Sequence, residues 1–136
     1  MKCILVTGGN KGIGLAIVTK LLKDHADTFV FLGSRDANRG QTAVQGIIES
    51  LGEPYKNRLE LIQLDVTSDE SVANAVKHIR NKYQEDSQPL YGVINNAGGF
   101  LNTPRGTIDL NTYGVHRVCE AFLPLLQKEN GKIQVL

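Results

Sequence analysis

Two rhythms of apolar and polar positions alternate along the chain. Lys2 to Thr7 (KCILVT) carries an unbroken apolar run of the kind a strand buried on both faces shows. Gly12 to Asp24 then sets Ile13, Ile17 and Leu21, with Val18 and Leu22, on one helical stripe. Thr28 to Gly33 (TFVFLG) repeats the strand signal, and Ala37 to Leu51 predicts a polar-faced helix with Ala43, Ile47 and Leu51 at four-residue spacing, closed by Gly52. Pro54 punctuates the loop that follows. Leu59 to Val66 (LELIQLDV) reads as the third strand. Thr67 and Glu70 then have capping-box spacing, and the helix they open carries Val72, Val76 and Ile79. Leu90 to Asn95 (LYGVIN) is the fourth strand. A last helix from about Asp109 to Gln127 aligns Val115, Val118, Cys119, Phe122 and Leu126, with Pro124 placed to kink or end it, and Lys132 to Leu136 begins a fifth strand.

Alternating β and α units with apolar strands argue for an α/β fold, a doubly wound parallel sheet in the order 3-2-1-4-5 with helices on both faces. In such a sheet a ligand sits beyond the carboxyl ends of the strands, between strands 1 and 4 where the order reverses. TGGNKGIG (residues 7–14) lies there, and so does NNAG (residues 95–98). Glycines 8, 12 and 14 allow a tight turn, a close approach of backbone to ligand, and close packing of helix on strand. The first-turn amides and the helix dipole favour an anion, for which a dinucleotide pyrophosphate is the natural occupant. A Walker-type phosphate loop fits less well, because Lys11 precedes the glycine instead of following it.

Composition narrows the function classes. At 136 residues, 41% hydrophobic and 21% charged, the chain fits one domain with a sizeable core. A net charge of +1 gives no broad electrostatic reason to expect nucleic acid or a membrane surface as partner. No segment approaches the roughly 20 apolar residues of a membrane span, and a cytoplasmic home is expected. Cys3 and Cys119 are too few for a disulfide framework or a zinc site and read as reduced core residues. His25, His78 and His116 are scattered without a metal-ligand pattern, so no metal is expected and surface roles are assigned to them.

TGGNKGIG, LDV at 64–66, NNAG at 95–98 and NTYG at 111–114 stand in an order that resembles the classical short-chain dehydrogenases/reductases, and the first stretch is most similar to the NADPH-dependent carbonyl reductases among them. The resemblance covers nearly the whole chain but only the cofactor-binding half of the family domain. It implies one Rossmann-type domain over residues 1–136 that lacks the C-terminal strands and helices of a full member. It also implies roles for individual residues: Asn10, Gly12, Ile13 and Gly14 around the pyrophosphate, with Gly8 in the same turn; Asp65 and Val66 at the adenine; Asn95, Ala97 and Gly98 along the nicotinamide ribose. On the residues alone, Asp65 reads equally as a strand-end turn or cap carboxylate.

Cofactor choice turns on charge at the adenosine ribose, where an acidic residue suits a 2′-hydroxyl and an arginine suits a 2′-phosphate. GSRD after strand 2 offers both Arg35 and Asp36. Lys11 in the glycine turn adds a second cation, and the resemblance places Lys11 and Arg35 together as determinants for NADP(H). Of the family's catalytic set the resemblance supplies only an asparagine, with Asn111 its candidate, and a helix-start or polar core role stands beside that reading. The serine, tyrosine and lysine belong after strand 5. Tyr113 and Arg117 have the tyrosine-to-base spacing, but arginine does not titrate usefully, so Tyr113 reads as structural.

The expected function is an NADPH-dependent oxidoreductase of the carbonyl reductase type, acting on a ketone, aldehyde or quinone and without turnover as this chain alone. The alternative is a non-catalytic NADP(H)-binding pseudoenzyme or partner of a complete reductase. IQVL as an unpaired apolar edge leads to two further expectations: a truncated, spliced or partial form, or self-association through strand 5 and the last helix.

Overall fold

The computed structural model describes residues 1–99 and 102–136; Phe100 and Leu101, inside the segment joining NNAG to NTYG, lie outside the described residues. Strands β1 (Lys2–Val6), β2 (Thr28–Ser34), β3 (Leu59–Gln63), β4 (Leu90–Asn95) and β5 (Lys132–Val135) form one sheet in the order β3-β2-β1-β4-β5. Every pairing is parallel, with Leu5 opposite Phe31 on one side and Val93 on the other. Both the architecture and the strand order are those expected from the sequence.

Period-two alternation divides β1 between two cores. Cys3 and Leu5 join Phe31, Ile62 and Leu64 under helices α3 (Asp69–Lys82) and α5 (Gly114–Phe122), which contribute Val72, Ile79, Val118 and Phe122. Ile4 and Val6 join Val30 and Leu32 under α1 (Gly12–Asp24) and α2 (Ala37–Leu51), which contribute Val18, Leu22, Val44 and Ile47. Phe31 and Phe122 are fully buried, and truncating either to alanine costs on the order of 3–5 kcal/mol.

At the end of the sheet where β2 begins, Arg58 gathers the exposed end of α1. Its Nη2 donates to Leu22 O at 2.7 Å, and its Nη1 donates to His25 O at 2.8 Å and Thr28 O at 3.1 Å. The Tyr55 ring lies 5.0 Å from the guanidinium. Leu22 O, which the last turn of α1 leaves without a helical partner, is satisfied there.

Four local expectations change. β3 stops at Gln63 instead of Val66, because Asp65 turns the chain: its Oδ1 accepts from Thr67 N at 3.0 Å and Thr67 Oγ1 at 2.7 Å. Thr67 is thereby occupied, and Ser68 is the N-cap of α3, accepting from Ser71 N at 3.1 Å. The apolar stripe of α1 is rotated, with Gly14, Val18 and Leu22 buried while Ile13 is 72% exposed. The last helix is not continuous: α4 (Pro104–Ile108), capped by Thr103, runs into a wide π-type turn at Asp109–Tyr113 before α5, and a 3-10 turn at Leu123–Leu125 around Pro124 ends it.

β5 lies at one edge with all four residues exposed. Among the described residues, no helix is long and apolar enough to cross a membrane.

Candidate functional site

The turn from β1 into α1 is fixed to both neighbouring strands. Thr7 N donates to Ile94 O at 3.0 Å, and the buried Thr7 hydroxyl accepts from the amides of Asn96 and Ala97, each at 3.0 Å. Asn96 Nδ2 donates to Gly8 O at 3.0 Å, while Gly9 N donates to Gly33 O at 2.8 Å. The ends of β1, β2 and β4 are thus locked together at the place where the strand order reverses.

Two glycines serve different ends in this turn. Gly14 packs so tightly that a Cβ would collide with the Gly8 carbonyl and Asn96 Nδ2. Gly12 has φ +57°, where a Cβ is disfavoured, yet an added Cβ would meet no protein atom within 4 Å. The space in front of Gly12 is therefore open.

That space belongs to a crevice of about 570 Å³ along the carboxyl ends of the strands. Of the residues singled out in the sequence, Gly8, Asn10, Lys11, Gly12, Ile13, Arg35, Asp65, Val66, Ala97 and Gly98 line it. Gly14 lies behind the turn as a packing residue. Asn95 does not line the crevice: it is buried, with Nδ2 3.7 Å from Cys119 Sγ and 3.5 Å from Gln134 O. Its neighbour Asn96 faces the crevice instead, since side chains alternate at the end of β4.

Asn111, in the π-type turn, does not line the crevice but touches Gly99, which does. Its Oδ1 accepts from Gly99 N at 2.8 Å and its Nδ2 donates to Gly99 O at 2.7 Å. Its amide is engaged by backbone, so it can hold the Gly98–Gly99 wall in place. Tyr113 is 58% exposed and lies outside the crevice, so it is not a core residue.

Electrostatics differ along the crevice. At α1, the N-cap is Lys11, which makes no side-chain cap, and no acidic residue occupies the first turn, so the dipole and amides of a 13-residue helix face the opening uncompensated. Beside it, Asp36 is consumed as the N-cap of α2: its Oδ1 accepts from Asn38 N at 2.9 Å and Arg39 N at 3.1 Å. Lys11, Arg35 and Arg39 line that end together.

Thr7, Asn96 and Arg39 are the residues that reading the sequence overlooked. Thr7 lies inside TGGNKGIG and Asn96 inside NNAG. Arg39 carried no motif signal; the return of α2 across the turn brings it in.

These features fit a dinucleotide phosphate. The open face of Gly12 gives room, the α1 amides offer donors, and the cations offer charge. Asp65 holds its carboxylate in the Thr67 turn, which is the turn reading, and the residue also lines the crevice.

Comparison with known proteins agrees with this arrangement. The family described as short chain dehydrogenase matches residues 2–135. A 3beta-hydroxysteroid dehydrogenase of Caenorhabditis elegans is 30% identical over 142 aligned positions, which cover 97% of this chain and 36% of that protein. Among solved structures, menthone neomenthol reductase from Mentha piperita superposes with a TM-score of 0.86 at 28% identity, covering 98% of this chain and 59% of that one. The NADPH-bound carbonyl reductase from chicken fatty liver superposes with a TM-score of 0.74 at 29% identity, covering 92% and 48%. The chain thus spans between about a third and three-fifths of the length of these relatives.

Proposed function

Because this chain belongs to the short-chain dehydrogenase family, whose match extends over residues 2–135, we propose that its crevice binds NADP(H) in preference to NAD(H) and serves a carbonyl reductase-like oxidoreductase. The observation that carries the preference is the gathering of three cations, Lys11, Arg35 and Arg39, around a single aspartate, Asp36, whose Oδ1 caps its own helix and whose Oδ2 stands 3.9 Å from Arg39 Nε. A 2′-phosphate finds an excess of positive charge there, since one carboxylate faces three cations and is itself turned to the α2 amides and Arg39.

In this reading the α1 amides and the Gly8–Gly12 backbone hold the diphosphate, Asp65 and Val66 bound the adenine, and Ala97 and Gly98 run along the second ribose. Asn111 keeps that last wall in register through Gly99. A nucleotide held by these residues would supply the hydride for reduction of a ketone, aldehyde or quinone. The likeness in fold to an NADPH-bound carbonyl reductase supports the same choice of nucleotide.

Fluorescence titration with NADPH and NADH, on the chain and on Lys11→Ala and Arg35→Ala, tests the proposal. Each substitution should weaken NADPH by about tenfold, the scale of one lost charge-assisted contact, and leave NADH nearly unchanged. Equal losses for both nucleotides reject the preference. A parallel assay of NADPH oxidation with a quinone or aldehyde separates the two classes of function, since binding without turnover makes this chain a nucleotide-binding module.

A further inference from the structure

Arg117 lies on α5, and its side chain, 21% exposed, reaches back to the opposite lip of the crevice. Nη1 donates to the Val66 carbonyl at 2.6 Å, Nε donates to Asp69 Oδ1 at 2.6 Å, and Nη2 stands 3.7 Å from Asp109 Oδ1. Asp69 is 90% exposed, so that ion pair contributes little by itself. The part-buried bond from a guanidinium to a backbone carbonyl is the stronger constraint, because it is charge-assisted and partly shielded from water.

A second contact acts on the same residue. A Cβ on Gly114 would come within 2.8 Å of Val66 Cγ2, so the start of α5 can sit against Val66 only because residue 114 is glycine. One turn earlier, Asn111 grips Gly99. The start of α5 and its entry turn therefore span from the Asp65–Val66 wall to the Gly98–Gly99 wall.

We infer that Arg117 is a positioning residue that fixes the Asp65–Val66 wall for the adenosine end of the nucleotide, using α5 as the strut between the two walls. This inference rests on the nucleotide-binding reading of the crevice. Arg117 does not itself line the crevice; it acts through Val66.

The test measures 2′,5′-ADP binding by calorimetry and backbone amide exchange by NMR for the chain, Arg117→Ala, Arg117→Lys and Asp69→Asn. Arg117→Ala should weaken 2′,5′-ADP by about tenfold and speed exchange at residues 64–68, with β1 and β4 unchanged. Arg117→Lys should recover part of the loss, since an ammonium reaches one acceptor without the planar fork. Asp69→Asn, which leaves the Val66 bond intact, should bind like the unaltered chain.

Unchanged 2′,5′-ADP binding by Arg117→Ala, or protection lost evenly across the sheet, overturns the inference. Should Arg117→Ala fail to fold, Arg117→Lys decides alone: an intermediate loss supports the strut, and unaltered binding refutes it. If the unaltered chain does not bind 2′,5′-ADP, the nucleotide reading falls, while faster exchange confined to residues 64–68 still separates the strut from a general loss of stability.

Discussion

Asn111 closes a two-point ring on Gly99, giving a hydrogen bond to its carbonyl at 2.7 Å and taking one from its amide at 2.8 Å. Gly99 has φ +149°, a conformation that other residues rarely adopt, so the ring holds a stretch of chain with little stiffness of its own. Asn111→Ala removes both bonds at a cost of about 1–2 kcal/mol to the local structure. Exchange of the Gly99 amide should then accelerate by about tenfold, as read by NMR. Asn111→Asp should be the harsher change, because it loses the donor and sets a carboxylate against the Gly99 carbonyl.

Gly12 and Gly14 should part company when each is changed to alanine. Gly14→Ala drives a methyl group into the Gly8 carbonyl and Asn96, overpacking that costs on the order of 1–3 kcal/mol or more and lowers Tm by several degrees. Gly12→Ala meets only the left-handed backbone cost of about 1–2 kcal/mol, but its methyl group projects into the crevice. Calorimetric melting beside NADPH titration should show the larger fall in Tm for Gly14→Ala. Gly12→Ala should show a loss of nucleotide affinity out of proportion to its stability change.

Glu60 confers a pH dependence on the fold. Burial pushes its carboxyl upward, but hydrogen bonds from Lys82 Nζ at 2.8 Å and the His78 ring at 2.6 Å outweigh burial and hold it below its ordinary value of 4.5. A carboxyl lowered in the folded state stabilises above the unfolded value, and this contribution is lost as pH falls through the folded value. Thermal melts from pH 6 down to pH 3 should show a steeper acid loss for the unaltered chain than for Glu60→Gln. Parallel curves would dismiss the contribution.

The two cysteines should differ in reactivity. Burial raises the Cys3 thiol above its ordinary value, and the Tyr83 hydroxyl 3.0 Å away offsets only part of this. Burial, followed by the Cys3 contact, also raises Tyr83. Cys119 is half-buried, so a thiol reagent at pH 8 should modify it on the order of tenfold faster than Cys3. Mass spectrometry of partially modified chains reads the order directly, and labelling of Cys3 should become competitive only under unfolding conditions.

The sheet was legible because its strands are short apolar runs, and doubly covered parallel strands need little else. Where side chains compete with the ladder, the pattern misleads. Leu64 and Val66 prolong the apolar alternation past Gln63, yet the Asp65 side chain has already turned the backbone onto Thr67. Thr67 and Ser68 are adjacent hydroxyl residues, and the demand of Asp65 on Thr67 leaves the cap to Ser68. Ile13 fits the helical stripe in sequence, but the α1 face against the sheet begins with Gly14, so the isoleucine stands toward the opening.

The glycine turn and NNAG were visible at the site because backbone geometry restricts which residues can serve there. Arg117 was legible only as a spacing partner of Tyr113. Its contact with Val66 joins positions 51 apart in the chain, and no local pattern encodes such a distance. Arg39 was hidden for a related reason: its neighbourhood with Lys11 exists only after α1 and α2 have packed on the same face.

Arg58 ties three carbonyls into one knot at the pole of the sheet opposite the opening. A fold anchored at that pole tolerates experiment at the other. Exposed side chains about the mouth, such as Ile13, can be exchanged while the scaffold keeps its shape, whereas Gly14 and the Thr7–Asn96 lock belong to the scaffold itself. Engineering of this chain has its natural boundaries there: the guanidinium knot and the packed glycine turn are to be left alone, and the exposed side chains of the rim are open to variation.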